Sequence, residues 1–295
     1  MRVFSFFLVL FLFACQSSKP TIELDGEQVQ VVNPPNMIQL DGNLFMDRTE
    51  ISNLDWREYE YWTKTVFGDG SEAHLAMLPD STVWRKSDGE YIEPLVQHYY
   101  RNPVYDGYPV VGVSYEQVKS YAAWRSSRVV EVMLIQQELM TEQAPLTEDG
   151  YFDLDLWRNG ERSYQIDASA ALLIPRFDLP KLSDLERARR DMHFADGEST
   201  PKNSDYFVLH NQTYPGCDGC ENFPVQTYTH SKMFPIQHLI GNVAEMTNEP
   251  GIATGGSWFH TLEESLPGQQ IAYEEPASWL GFRLVASWER VRNAR

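Results

Sequence analysis

The sequence predicts a loop-rich α+β fold, and three observations carry that expectation. Segments with helical spacing of apolar residues alternate with short β-branched, strand-like runs. Between them, most clearly over residues 196–235, lie stretches dominated by Gly, Pro, Asn, Asp, Ser and aromatics, which read as ordered loop. Eight Trp are spread along the chain, each large enough to pin a loop to a core.

The elements follow in order. Arg2 is the only charge before an almost wholly apolar run from Val3 to Phe13. That run is about half the ~20 residues a membrane-spanning helix needs, so residues 1–14 read as a signal peptide. It ends in Leu12-Phe13-Ala14-Cys15, a small residue directly before a Cys, followed by polar residues. This resembles the bacterial lipobox, and the resemblance implies a mature chain that begins at a lipidated Cys15. Residues 15–34 are expected to form the lipidated Cys and a polar tether, with a single domain over 35–290.

Within the domain, Leu54, Tyr59 and Trp62 recur at helical spacing over Leu54 to Lys64, with Ser52 or Asn53 as N-cap. Tyr108 to Val113 reads as a strand, and Ser114 caps a helix over Tyr115 to Arg125 through Val118, Tyr121, Ala122 and Trp124. Leu172 to Ile174 is a short apolar run. Lys181 to Arg190 is a charged helix packed through Leu182, Leu185 and Ala188. Strand patterns return at Thr254 to Phe259 and Gly281 to Ala286.

Composition narrows the functional classes. The chain carries 24 basic and 42 acidic side chains, a net charge of −18, and loss of residues 1–14 makes it −19. Such a surface repels nucleic acid, so no nucleic-acid partner is expected. The 42% hydrophobic content supports a packed core. With Cys15 lipidated, Cys217 and Cys220 remain as a Cys-Asp-Gly-Cys pair. A local disulfide is the plain reading in an oxidising compartment; a zinc site completed by His210 and His230, a redox pair and free thiols stay open beside it.

Several fragments resemble, in order, one family. They are Asp47 to Asn53, Tyr108 to Tyr115 with Tyr121 and Trp124, and Leu179-Pro180-Lys181-Leu182-Ser183-Asp184-Leu185-Glu186, similar to "RLPTEAEWE". Then come Gly241-Asn242-Val243-Ala244-Glu245-Met246, similar to "GNVWEW", Gly255-Gly256-Ser257-Trp258, similar to "RGGSW", and Gly281-Phe282-Arg283, matching "GFR". The family is the formylglycine-generating-enzyme, or sulfatase-modifying-factor, family. The resemblance covers roughly residues 35 to 287 and implies a variant of the C-type lectin fold.

In the catalytic members a Cys pair shortly after "RGGS" binds copper through thiolates, the soft ligands that Cu(I) prefers. Here those positions hold His260 and Ser265, so the resemblance implies a degenerate oxygen-activating site. Members also bind calcium around "GNVWEW", which would call on the carbonyls of Gly241 and Val243 and on Glu245. His238 stands where that motif has Asp or Asn, and imidazole is a poor ligand for hard Ca²⁺. Calcium is therefore the one cofactor left open, against a reading in which Asn242 and Glu245 satisfy buried backbone groups. Arg283 is expected as a buried charge with a fixed carboxylate partner. His74, His98, His193 and His210 are scattered and form no His-rich helix.

Residues 129–174 enlarge the family pattern between Trp124 and Leu179. A similar enlargement, a lipid anchor and loss of the Cys pair characterise the gliding-motility and type IX secretion lipoproteins of Bacteroidetes. The expectation is a non-catalytic scaffold or binding subunit of an envelope assembly, held through Cys15, with other envelope proteins as partners. It is expected at the outer membrane, facing the periplasm. The alternatives are a divergent sulfatase-modifying oxidase and a glycan- or peptide-binding surface lipoprotein.

Overall fold

The computed structural model describes residues 19–85, 89–167, 171–193 (backbone alone for 191–193), 223–228 and 235–291. Cys15, His210, Cys217, Cys220 and His230 lie outside them, as does most of the loop expected over 196–235.

The elements run β1 (Thr21–Leu24), β2 (Glu27–Gln30), β3 (Met37–Asp41), β4 (Leu44–Asp47), α1 (Asn53–Phe67), α2 (Glu72–Ala76) and α3 (Glu93–His98). They continue with α4 (Tyr115–Gln136), α5 (Leu154–Arg158), β5 (Leu172–Asp178), α6 (Leu182–His193), β6 (Ala244–Met246) and β7 (Ile252–Thr254). The last are α7 (Leu262–Ser265), β8 (Ile271–Ala272), β9 (Leu280–Gly281) and β10 (Val285–Val291).

The β1–β2 hairpin corrects the expected tether. Ile22 and Val31 are buried in the main core, so the folded domain begins by residue 21 and not at 35. Burial of Ile22 and Val31 acts together with the ladder between the two strands against the entropy of ordering the segment.

Strands β3, β4, β10 and β5 form an antiparallel sheet in that order, with β10 between β4 and β5. A second sheet has the order β8-β7-β6-β9, with β6 and β9 parallel. The expected strand over Gly281 to Ala286 is two strands: Leu280 and Gly281 pair with β6, whereas Val285 starts the central strand of the larger sheet. Phe282, Arg283 and Leu284 cross between the sheets and are buried.

Tyr108 to Val113 is not a ladder strand. Pro109 has no N–H, and the segment is held by one bridge to Ser52, with Val110 N–H donating to Ile51 O at 2.9 Å. Gly112 at φ +75° then turns the chain, where a Cβ would lie 2.4 Å from Asp80 O. The strand expected at Thr254 to Phe259 is Ile252–Thr254, and it ends as Gly255 and Gly256 take positive φ.

The two long helices of the main core begin with capping boxes. Ser52 and Asp55 close α1, and Ser114 and Gln117 close α4. Trp56 is fully buried, stacked on Tyr121 at 5.2 Å and edge-on to Phe282, which locks both helices onto the sheet crossover. Helix α4 runs on to Gln136, about 33 Å in all, so residues 129–136 belong to it and not to an insertion. Its first half serves the main core through Val118, Tyr121 and Ala122. Its second half covers a small core of Val130, Leu134, Met140, Phe152, Leu154 and Ile174. Residues 172–174 start β5, so the added segment proper lies between Gln136 and Leu172 and closes over its own core. Among the described residues, no helix is long and apolar enough to cross a membrane.

Candidate functional site

The family-like fragments meet in one place, where loops from both sheets bury a set of charges. Glu245 on β6 accepts the Nε–H of Arg283 at 2.7 Å and also receives an Nη2–H. Arg283 Nη2 donates to Gln237 O at 2.7 Å and Nη1 to Asp47 O at 3.2 Å. The expected carboxylate partner of Arg283 is thus Glu245. Asp47, fully buried, accepts two bonds from Arg125 at 2.7 and 2.8 Å and one from the Leu284 N–H at 3.0 Å.

Asn242 sits at φ +59° beside Gly241 at φ +79°. Its Nδ2 donates to Glu50 Oε1 at 3.0 Å, and its Oδ1 accepts from Val225 N at 2.9 Å. Its carbonyl accepts from Trp258 N at 2.9 Å, while Gly241 N donates to Gly255 O at 2.8 Å. The two glycine-containing loops are therefore hydrogen-bonded to each other. Asn242 satisfies buried backbone as expected, but Glu245 is spent on a guanidinium instead.

Electrostatics follow from burial. Desolvation, opposed by Arg283 and reinforced by Glu245, raises the Glu50 carboxyl to about 8. Burial and the charge of Arg283 lower His238 to about 4, so its imidazole is neutral. Burial also lowers Arg189 to about 10; its Nε donates to Leu239 O at 2.7 Å and its Nη1 to Thr254 Oγ1 at 2.8 Å. The cluster holds one neutral acid, the ion pairs Arg283–Glu245 and Arg125–Asp47, the cation of Arg189 and a neutral imidazole.

The calcium position is taken in part: Glu245 Oε1 receives both Arg283 bonds, whereas Glu245 Oε2 and Glu50 Oε2 are buried without a partner among the described residues. The Glu245 carboxylate already carries the charge of Arg283, and Asn242 is committed to Glu50 and Val225. Gly241 and Val243 lie in the same loop, but among the described residues no group of three or more His, Cys, Asp or Glu is arranged to hold a metal.

The copper positions are also committed within the chain. His260 Nδ1 and Ser257 Oγ are 2.7 Å apart, and Phe259 N–H donates to the same hydroxyl at 3.1 Å. Burial holds the His260 imidazole below its usual range, opposed by Glu264. Ser265 Oγ donates to Thr261 O at 2.7 Å. A Thr261–Glu264 capping box sets α7 so close to Gly256 that a Cβ there would lie 1.8 Å from Ser265 Oγ. With no thiol at either position, this pair does not fit Cu(I).

Around these positions lies an aromatic face. Trp279 meets His260 edge-on at 4.8 Å, Phe259 is 54% exposed, and Trp258 stacks on Trp84 at 6.3 Å. Trp84 and Tyr99 also line a cleft of about 230 Å³ with Asp80, Leu95 and Arg101. Sequence reasoning singled out Trp258 and missed Trp84 and Tyr99, which come from distant, unpatterned segments, and Arg189, one charge among several on the helix expected over Lys181 to Arg190. Glu50 and Asp47 carried a signal, since both stand in a family-like fragment among apolar residues.

A family model described as "Sulfatase-modifying factor enzyme 1-like domain" matches residues 13–288. Comparison with curated proteins gives no match. Similar solved structures include one titled "Crystal Structure of CarF", at 15% identity and TM-score 0.44, covering 83% of this chain and 86% of that one. PvdO from Pseudomonas aeruginosa is similar at 15% identity and TM-score 0.43, with 91% of each chain covered. Treponema denticola variable protein 1 is similar at 13% identity and TM-score 0.42, covering 91% and 99%.

Proposed function

The chain belongs to the sulfatase-modifying factor enzyme 1-like domain family, and from that premise we propose that it is a non-catalytic member acting as a lipid-anchored scaffold or binding subunit of the cell envelope. One observation carries this reading. His260 and Ser265 stand where catalytic relatives hold their copper thiolates, and both are engaged in hydrogen bonds inside their own loop. A site whose ligands have been replaced and tied down retains the scaffold of the fold without its oxygen chemistry.

The lipobox-like Leu12-Phe13-Ala14-Cys15 supports anchoring through Cys15, with Gln16 after it favouring the outer membrane and a periplasmic domain. The acidic surface supports protein partners over nucleic acid. Gliding and type IX secretion machinery is the first assembly to test, because the added segment between α4 and β5 offers an extra folded surface. The exposed Phe259 beside Trp258 and Trp279 supports a second reading in the same class, a face that binds a peptide or glycan by stacking.

The test is affinity purification of the tagged, full-length protein from its native envelope in mild detergent, with mass spectrometry and elemental analysis of one sample. Stoichiometric envelope proteins without copper are the expected result. A lone protein with near-stoichiometric copper, lost on His260→Ala, would restore the oxidase reading.

A further inference from the structure

The last half of α4 and the chain between β2 and β3 enclose an open apolar groove of about 390 Å³. Val32, Pro34 and Pro35 form one wall, Val129, Val132 and Met133 the other, with Trp288 and Pro175 also lining it. Val32 and Val132 are each 51% exposed, so this apolar surface faces solvent. Two polar atoms of its lining, Trp288 Nε1 and Arg128 Nε, are buried donors without an acceptor among the described residues.

The position of the N-terminal chain links this groove to one occupant. Val31 N–H donates to Pro20 O at 2.9 Å, so the chain enters the fold one residue from Val32 on the groove wall. Cys15 precedes Pro20 by five residues, a reach of at most about 17 Å even when fully extended. Whatever lipid Cys15 carries is thereby confined to the neighbourhood of this groove. An acyl chain matches the apolar lining of Val32, Pro34, Pro35, Val129, Val132 and Met133. Seating an acyl chain there orders a few residues and exchanges bilayer contacts for groove contacts, while it covers the otherwise exposed Val32 and Val132.

We propose that the groove holds one acyl chain of Cys15, seating the domain against its own anchor instead of leaving it on a free tether. The inference rests on the lipid-anchor reading and adds the lipid-binding site. The remaining acyl chains stay in the bilayer, and the face bearing Val32 and Val132 becomes the membrane-proximal face.

The experiment uses full-length protein in cells fed a diazirine-bearing fatty acid. Membranes are irradiated, and peptides crosslinked to the Cys15 peptide are mapped by mass spectrometry, with the lipid mass on that peptide read in the same run. The expected crosslinks join the Cys15 peptide to peptides containing Val32–Pro35 or Val129–Met133. They are lost in Val132→Glu/Met133→Glu, and also in Val132→Glu alone, a half-exposed position that leaves a cooperative melt. A lipidated Cys15 whose crosslinks go only to bilayer lipids or to a partner protein overturns the groove assignment and leaves the anchor standing. Crosslinks that persist in the folded variants overturn it too. A Cys15 peptide without lipid mass overturns the anchor reading, and this inference with it.

Discussion

Glu245 accepts the Nε–H of Arg283 at 2.7 Å where the chain crosses from the smaller sheet to the larger one. Both residues are essentially fully buried, and Arg283 also holds the carbonyls of Asp47 and Gln237. One guanidinium thus ties β4, β6 and the 235–240 loop to the start of β10. Removing one partner leaves a buried charge alone, which costs about 3–5 kcal/mol. Arg283→Ala is expected to lower stability by that amount in equilibrium urea unfolding. Glu245→Leu with Arg283→Met is expected to cost less than Arg283→Ala, because no charge is then stranded.

The buried acid beside that pair predicts a pH dependence. Glu50 is raised from an ordinary 4.5 to about 8, so the folded state binds a proton that the unfolded state has released, and its contribution is lost as pH rises through that window. His238, lowered from 6.5 to about 4, acts oppositely and costs stability as pH falls through its own window. The two oppose each other between 4.5 and 6.5, and above 6.5 only Glu50 of this pair still contributes. The unfolding free energy is expected to fall between pH 6.5 and 8, with a slope approaching about 1.4 kcal/mol per pH unit, and the melting midpoint falls with it. Glu50→Gln should flatten that slope, since the amide does not titrate and still accepts from Asn242.

The tight approach of α7 to the glycine loop predicts a second kind of sensitivity. Gly256 holds φ +67°, and any Cβ there meets Ser265. Gly256→Ala is expected to cost at least about 2 kcal/mol, through left-handed backbone strain plus overlap. Adding Ser265→Gly should recover only part of the overlap, because the Cα of residue 265 still lies 2.8 Å from the new Cβ, and none of the strain, a partial rescue readable in a double-mutant cycle.

The two cores predict separable unfolding. Phe152 is fully buried in the small core over the second half of α4. Phe152→Ala is expected to cost about 3–5 kcal/mol in that core. Hydrogen exchange should show residues 140–167 losing protection first, with the β3-β4-β10-β5 sheet retaining it. Equal loss in both would mean that the two cores unfold as one unit.

Much was legible in the sequence wherever a local rule acts. Ser52 and Ser114 announce helix starts because their hydroxyls must meet exposed N–H groups of the first turn, and both do. The ordered fragments ending in Gly281-Phe282-Arg283 were sufficient to indicate the family and the fold, and the buried role of Arg283 was expected from that resemblance. Absence of thiols at 260 and 265 is likewise a property of sequence alone.

Tertiary structure decided what depends on meeting. The hairpin over residues 21–30 looks like polar tether, because its alternation buries only Ile22 and places charges outward; it is a strand pair because the main core accepts Ile22 and Val31. Helix α4 continues past Arg125 because a second core exists for Val130 and Leu134 to enter. Glu245 pairs with Arg283, and His260 lies within hydrogen-bond distance of Ser257, through contacts that spacing alone does not encode. Capping and turn chemistry act over a few neighbouring residues and are therefore written in order along the chain. Burial, ion pairing and the pH behaviour that follows belong to residues brought together from as far apart as Asp47 and Arg283, and only the fold sets those distances.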